Sequence, residues 1–575
     1  MSGTLTDPDL ASVQEVRSKV DGAYAAWRKY LAFPQERVDA IVEQVAAAAR
    51  ANARRLAELA VQETGYGNVQ DKLAKNLLSS DVLPRAMRGL KTIGVLREDS
   101  ERKIVEIAVP MGVVAAILPT TNPTSTAIYK TLIALKSGNA IVLSPHPRAK
   151  ACTCEAAAVL QHAAVRAGAP EGLVQCIYNA TVDGTNALMK HLRVSVILST
   201  GGSGIVRAAY SSGKPAFGVG PGNVPVLIDV SAPMDEAIAK VVQGKSFDFG
   251  TVCSSEQTIV AEASLRDRIP AALKAQNAFL CDARQTEALA KVLLAPNFTV
   301  NPECVGQPAP KIARMAGFEV PAATRVLVVE IQGVGKQHPL SAEKLSPVLS
   351  LYFVADFQAA LDACEALLRF GGLGHTAAIH AGDDARIREF AMRMPAFRIL
   401  ANTSAPQGST GITTNVFPAM TLGCGAVAGN STSDNIGPLH LINIKRLAYM
   451  TRKAEDAFES PEFSEAAPTV DREAIVAAVE RYLAKRRLDS KRGGAQEPQT
   501  ATTRASGERQ MPPDRHVEVV DFVCEDDVRR AVSQSKKIYI GPSTIVTPSA
   551  RDLSLQHEVL ILTDERKSRN KATSE

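Results

Sequence analysis

Tryptophan occurs once, at Trp27, and aromatic residues make up 5% of the 575-residue chain. So few rings leave little material for a large aromatic pocket. Neither charge dominates: 65 basic residues stand against 60 acidic ones, a net of +5. A nucleic-acid protein carries a clear basic surplus, so that class is excluded. Much of the small surplus lies in "AKRRLDSKRGG" (Ala484 to Gly494). No stretch reaches the about 18 uninterrupted apolar residues of a membrane span, so no membrane association is expected. The opening "MSGTLTDPDLASVQEV" has no basic segment ahead of an apolar one, and no secretory leader is expected. Nine cysteines are scattered along the chain without a CxxC pair. That removes the common zinc spacing, and no metal is expected. Reduced thiols in a cytoplasmic setting are the simplest reading.

What is present is alanine, valine and glycine within a chain that is 46% hydrophobic. Small apolar residues suit layered α/β packing. Residues 10 to 80 carry apolar positions at three- and four-residue spacing, which predicts helices. "KIVEIAVPMGVVAAILP" (Lys103 to Pro119) reads as strands broken near Pro110 and Gly112. From there to about 230 strands and helices alternate, which predicts a parallel sheet covered on both faces. A second α/β run follows to 427, and a turn-rich segment leading to a strand occupies 428–455.

Within the second run, "SFDFGTVCSSEQ" (Ser246 to Gln257) surrounds Cys253 with small and polar residues. A packed cysteine usually has aliphatic neighbours; this one looks presented. Glycine-flanked backbone can leave a thiolate open, with N–H groups near an oxyanion. An isolated cysteine is nevertheless more often an inert filler. "LPTTNPTS" (Leu118 to Ser125) ends a strand and opens a helix, which can hold the Asn122 amide over a cleft, or use Thr120, Thr121 or Asn122 as a cap. "STGGSGIVRAA" (Ser199 to Ala209) and "GVGPGNVPVLID" (Gly218 to Asp229) are glycine clusters beside strands. Such turns let backbone approach an anion at a helix start, and are weak signals singly.

In their order and spacing these stretches resemble the aldehyde dehydrogenase superfamily, and more closely its CoA-acylating branch. "EKLSPVLS" (Glu343 to Ser350), "GGLGHTAAIH" (Gly371 to His380) and "TLGCGAVAGNSTSDNIGPLHLIN" (Thr421 to Asn443) extend the match over about residues 10 to 450. The resemblance implies an α/β fold with a Rossmann-type cofactor domain (1–233, with part of an oligomerisation arm near 99–112), a catalytic domain (234–427) and an arm (428–455). It implies Cys253 as the nucleophile and Asn122, with the Cys253 backbone N–H, as the oxyanion holder. Thr200 and Gly201 would lie near the cofactor phosphates and nicotinamide, and Pro119, Ser144 and Pro145 on the adenosine side. Thr120, Gly204 and Gly220 complete the cofactor-binding set, and Glu343 matches the ribose-binding glutamate. The implied reaction takes a short aldehyde, NAD or NADP and CoA to an acyl-CoA through a thioester, in a homo-oligomer.

Two departures bear on that reading. Hydrolytic relatives begin their "ELGGKNP" stretch with a glutamate base, where this chain has Val219 in "VGPGNVP". Valine accepts no proton, so water should discharge the thioester slowly. The "KPSE" stretch reads "SPHP" here, which leaves NAD and NADP both open. A hydrolytic enzyme giving a free acid, and a scaffold that has lost activity, are the alternatives. Glu256 reads as a structural strand residue. His375 fits a base, a CoA contact or a satisfied core histidine. Cys424 is expected near the substrate tunnel or a subunit contact.

Beyond the match, 456–516 reads as a linker carrying an amphipathic helix at 471–488, with Ile475, Val479, Tyr482 and Leu483 on one face. It resembles the encapsulation peptides that dock enzymes onto bacterial microcompartment shells, or else packs on its own enzyme. Residues 517–575 read as a small α/β segment.

Overall fold

The computed structural model describes residues 7–295, 297–458, 472–489 and 519–563. It forms two compact units, 1–464 and 465–575.

The first unit opens with helices whose buried positions follow the spacing of the sequence. Helix Gln35–Ala51 buries Val38, Ile41, Val42, Val45, Ala46 and Ala49. One fully buried aliphatic side chain stabilises by about 1.5–3 kcal/mol, and truncation of Ile41 to alanine costs about 2–5 kcal/mol. These helices pack on a five-stranded sheet ordered Val174–Cys176, Ala140–Ser144, Val113–Ile117, Val194–Thr200, Ala216–Val219. All four pairings are parallel. Every residue of Val113–Ile117 and of Ala140–Ser144 is buried, as unbroken apolar strands covered on both faces must be. The chain builds outward from Val113–Ile117 on one side, then returns to add Val194–Thr200 on the other. The crevice between those two strands is therefore the switch point at which α/β sheets bind ligands. Lys130, buried on helix Pro123–Lys136, pins both strand ends with bonds to the Ile117 and Leu198 carbonyls (2.7 and 2.9 Å).

A second parallel sheet has seven strands, ordered Ala278–Leu280, Val326–Glu330, Val348–Val354, Glu256–Glu262, Val224–Ile228, Ala377–His380, Ile399–Ala401. Strand Val224–Ile228 belongs here, so the sheets divide between Val219 and Val224, earlier than the expected 233 boundary. Buried parallel strands read alike in sequence; the crossovers, not the strand residues, decide which sheet each one joins. Gly94–Asp99, Ile104–Pro110 and Ile442–Ala448 form a separate antiparallel sheet, with Ile442 opposite Pro110 and Ala448 opposite Ile104.

In the second unit, helix Arg472–Asp489 is followed by three parallel strands, Val520–Val523, Ile538–Val546 and Leu560–Leu562, with helices Glu525–Ser533 and Pro548–His557. The central strand Ile538–Val546 has no counterpart in the sequence reading. The small core is Val523, Val528 and Ala550. Of the expected linker and tail, 459–471, 490–518 and 564–575 lie outside the described residues, Asp471 among them. Among the described residues no helix is long and apolar enough to cross a membrane.

Candidate active site

The nucleophile candidate is delivered by an unusual turn. Asp248 (φ 46°), Phe249 (φ 52°) and Gly250 (φ 75°) are consecutive left-handed residues. Non-glycine residues adopt that conformation at a cost of order 1–3 kcal/mol each, and hold it only where surroundings over-determine it. Here the Asp248 side chain does so. Its carboxylate is buried and accepts from the Asn68 N–H (2.9 Å), Lys72 Nζ (3.0 Å), Thr251 Oγ1 (2.6 Å) and Lys75 Nζ. A β-carbon on Gly250 would stand 2.7 Å from the Ser346 backbone, so glycine is required there for space as well. Cys253 follows this anchored turn and is one of three cysteines that are not fully buried.

Burial pushes the Cys253 thiol up to about 12, with Glu343 and Cys424 adding to the rise and Arg398 opposing it. The free site therefore holds a protonated thiol at neutral pH. Glu343 accepts from the Gly222 N–H (3.2 Å), and burial pushes its carboxyl up to about 8. Gly222 separates the thiol residue from His375: a β-carbon there would lie 2.3 Å from the Cys253 carbonyl oxygen and 3.2 Å from the His375 ring. Burial, then Arg398, lowers His375 to about 3, which keeps the imidazole neutral. Its Nδ1 pairs with Thr376 Oγ1 (2.9 Å), and its Nε2 is buried without a partner. With the proton on Nδ1, Nε2 is a lone-pair acceptor.

Asn122 is the residue before helix Pro123–Lys136, yet its side chain makes no capping bond. Its Oδ1 accepts from Lys75 Nζ (2.5 Å) and its Nδ2 donates to Thr121 Oγ1 (3.0 Å). The cap reading of this asparagine is thus replaced by a side chain held from the far side. Lys72, Lys75 and Asp248 are functional-looking groups that the sequence reading missed. The two lysines left a signal in "QDKLAKN": Lys72, Lys75 and Asn76 are buried, spaced three and four apart, where a helix would otherwise place apolar residues.

Arg398 was also missed. It is buried and bonds the carbonyls of His375 (2.6 Å), Gly423 (2.6 Å) and Ser433 (3.1 Å). Burial lowers its pKa, and the nearby Cys424, Cys253 and Asp434 oppose that. Cys424 is buried, with its thiol raised to about 11 by burial against the opposing Arg398. Glu256 is buried in the other direction: its Oε1 accepts from the Ala405 N–H (2.7 Å).

Apart from Glu343, the cofactor candidates lie at the carboxyl ends of first-sheet strands. Pro119 and Thr120 follow strand Val113–Ile117, Ser144 and Pro145 close Ala140–Ser144, and Thr200 and Gly201 close Val194–Thr200. Ser144 Oγ pairs with Thr185 Oγ1 (3.1 Å). Ser199 Oγ and Thr200 Oγ1 are buried without partners. Gly204 lies in the first turn of helix Ser203–Tyr210, which has no side-chain cap, and Gly220 follows strand Ala216–Val219. Unpartnered hydroxyls and free N–H groups beside the crevice fit a dinucleotide phosphate. Val219 is buried at the end of its strand. Among the described residues no cluster of histidine, cysteine and carboxylate groups suits a metal ion.

A parallel sheet with a switch point and a second parallel sheet beside a turn-held thiol define an α/β fold. The model of the aldehyde dehydrogenase family matches residues 2–283. The bifunctional aldehyde-alcohol dehydrogenase AdhE of Escherichia coli (strain K12) is 45% identical over 445 residues, 76% of this chain and 50% of that one. The crystal structure of an acetylating aldehyde dehydrogenase from Geobacillus thermoglucosidasius is 48% identical, with a TM-score of 0.77 over 78% of this chain and 99% of that one. A Rhodopseudomonas palustris propionaldehyde dehydrogenase, solved with bound CoA and an acylated cysteine, is 26% identical, with a TM-score of 0.70 over 76% and 97% of the chains. The chain belongs to the aldehyde dehydrogenase family. It spans about half the length of the bifunctional relatives it matches.

Proposed function

We propose that this chain is a CoA-acylating aldehyde dehydrogenase that converts a short-chain aldehyde to its acyl-CoA. Cys253 Sγ attacks the aldehyde carbonyl and its proton is released to solvent water. His375, lowered to about 3, is too weak a base to hold that proton. Its unpartnered Nε2 serves as a hydrogen-bond acceptor, for which CoA is a candidate donor. Asn122 Nδ2 and the Cys253 N–H receive the developing oxyanion. Thr200, Gly201 and Glu343, with Pro119, Ser144 and Pro145 toward the adenosine, would hold a nicotinamide dinucleotide, NAD in the preferred reading, which would accept the hydride. Loss of hydride leaves a thioester on Cys253. The thiol of CoA then attacks that thioester and expels the Cys253 thiolate.

The observation that carries this reading is the buried Val219 where hydrolytic relatives keep their base. The bound CoA and acylated cysteine of the R. palustris relative support it. The test measures acyl-CoA, free acid and NADH from acetaldehyde and propionaldehyde with and without CoA. Turnover and acyl-CoA should require CoA; equal turnover to free acid without CoA would overturn the proposal.

We also propose a homo-oligomer built through the arm, whose strand Ile442–Ala448 exposes Ile444 and Leu447. Helix Arg472–Asp489, with Val476, Val479 and Leu483 exposed, is proposed as a docking element for a microcompartment shell. Removing it should leave kcat unchanged while releasing the enzyme from shells; a fall in kcat would show that it serves the enzyme body.

A further inference from the structure

Lys72 and Lys75 stand three residues apart on helix Val69–Leu77 and are both buried. Between them they touch the two segments that form the proposed oxyanion site. Lys72 Nζ donates to the Thr121 carbonyl (3.0 Å) and to Asp248 (3.0 Å). Lys75 Nζ donates to Asn122 Oδ1 (2.5 Å), to Asp248 and to Thr251 Oγ1 (3.3 Å). All three protons of the Lys75 ammonium are thus used, and only one partner is a carboxylate.

An asparagine amide has two nearly isosteric ends, one a pure acceptor and one a pure donor. A half-turn about its last bond exchanges them and would point an oxygen at the substrate oxyanion. An ammonium donates and never accepts, so it tolerates only the carbonyl end beside it. With Oδ1 fixed by Lys75, one Nδ2 hydrogen goes to Thr121 Oγ1 and the other is left for the substrate. The bond to a cation also draws charge from the amide and strengthens the remaining N–H as a donor.

We propose that Lys75 is a positioning residue for catalysis: it fixes and polarises the Asn122 amide while tying it, through Asp248, to the turn that carries Cys253. This rests on Asn122 being the oxyanion donor. Lys75 itself touches no reacting atom.

The test compares wild type, Asn122→Ala, Lys75→Met and the double variant of the full chain. Two rates are read. One is the first-turnover burst of NADH from aldehyde and NAD without CoA, which requires an oxyanion. The other is alkylation of Cys253 by iodoacetamide, which forms none. Lys75→Met should slow the burst by at least about tenfold, approaching the about hundredfold of losing one oxyanion donor. Its alkylation rate should stay within about twofold of wild type, and it should add less than about twofold to Asn122→Ala, since both act through one donor. A proportional fall in alkylation would mean that Lys75 merely supports the thiol turn and would overturn the proposal. So would independent, multiplying losses in the double variant. An undiminished burst in Asn122→Ala is a distinct result and would remove the oxyanion reading itself. Lys75→Gln is the second variant should Lys75→Met not fold, and the same two comparisons decide.

Discussion

Gly222 lies against the back of Cys253: a β-carbon at 222 would stand 2.3 Å from the Cys253 carbonyl oxygen. The same atom would press on the His375 ring at 3.2 Å. One missing methyl group therefore sets the spacing between the backbone that carries the proposed nucleophile and the His375 ring. Gly222→Ala must shift one of them, and a shift of about 1 Å in reacting groups costs on the order of a hundredfold in rate. Such a loss in kcat is expected, with an unchanged circular dichroism spectrum. A near-native kcat would show that this spacing is not critical.

The pH dependence of the thiol has a defined sign. Burial holds Glu343 at about 8, so at neutral pH it is mostly uncharged and does not repel a thiolate. Above that value it ionises and opposes ionisation of Cys253, itself raised to about 12 chiefly by burial. Glu343→Gln should leave Cys253 alkylation at neutral pH unchanged and accelerate it above pH 8. Each pKa unit removed from the thiol gives about a tenfold gain in thiolate. Iodoacetamide labelling followed by peptide mass spectrometry across pH reads this directly. A gain of equal size at all pH values would contradict the assignment.

Asp248 anchors the turn ahead of Cys253. Burial alone would raise its carboxyl, but Lys72 and Lys75 outweigh that and hold it below the usual carboxylate range. Because the folded value is depressed, this contribution is complete above the unfolded value of about 3.9 and is lost as pH falls through the folded one. Asp248→Asn leaves two buried ammonium groups beside a neutral amide. A destabilisation of about 3–5 kcal/mol is expected by urea titration at neutral pH, with a smaller difference in acid. An equal difference at both pH values would contradict an ionised Asp248.

Val219 can be given the proton acceptor it lacks. Val219→Glu should raise NADH formation without CoA by about tenfold or more, short of the about 10²–10⁴-fold of a well-placed base. The product to follow is free acid. No gain in CoA-independent turnover would show that the missing carboxylate is not what restrains hydrolysis.

Reading the sequence set Cys253 and Asn122 in short turns and Val219 beside a glycine-rich turn, and the structure has the first two in turns and Val219 at a strand end, because such turns carry their own signal. Glycine and proline mark such turns locally. The first sheet was legible for the same reason: Val113–Ile117 and Ala140–Ser144 are unbroken apolar runs between turns. The bracing was not legible, because Lys75 and Asp248 are 173 residues apart and meet only in the fold. Arg398 likewise joins loops at 375, 423 and 433 through carbonyls, which have no sequence identity. Strand Val224–Ile228 carried no mark of the sheet it joins. The local character of a strand reports burial, whereas its neighbours follow from chain crossovers.

The central claim is a covalent acyl group on Cys253 that CoA discharges and water does not. Enzyme mixed with aldehyde and NAD, quenched and digested, should show the acyl mass on the Cys253 peptide, persisting for many turnover times. Addition of CoA should clear it within one turnover and yield an equal amount of acyl-CoA. An adduct on another residue, or one that decays at the same rate with and without CoA, would contradict the account.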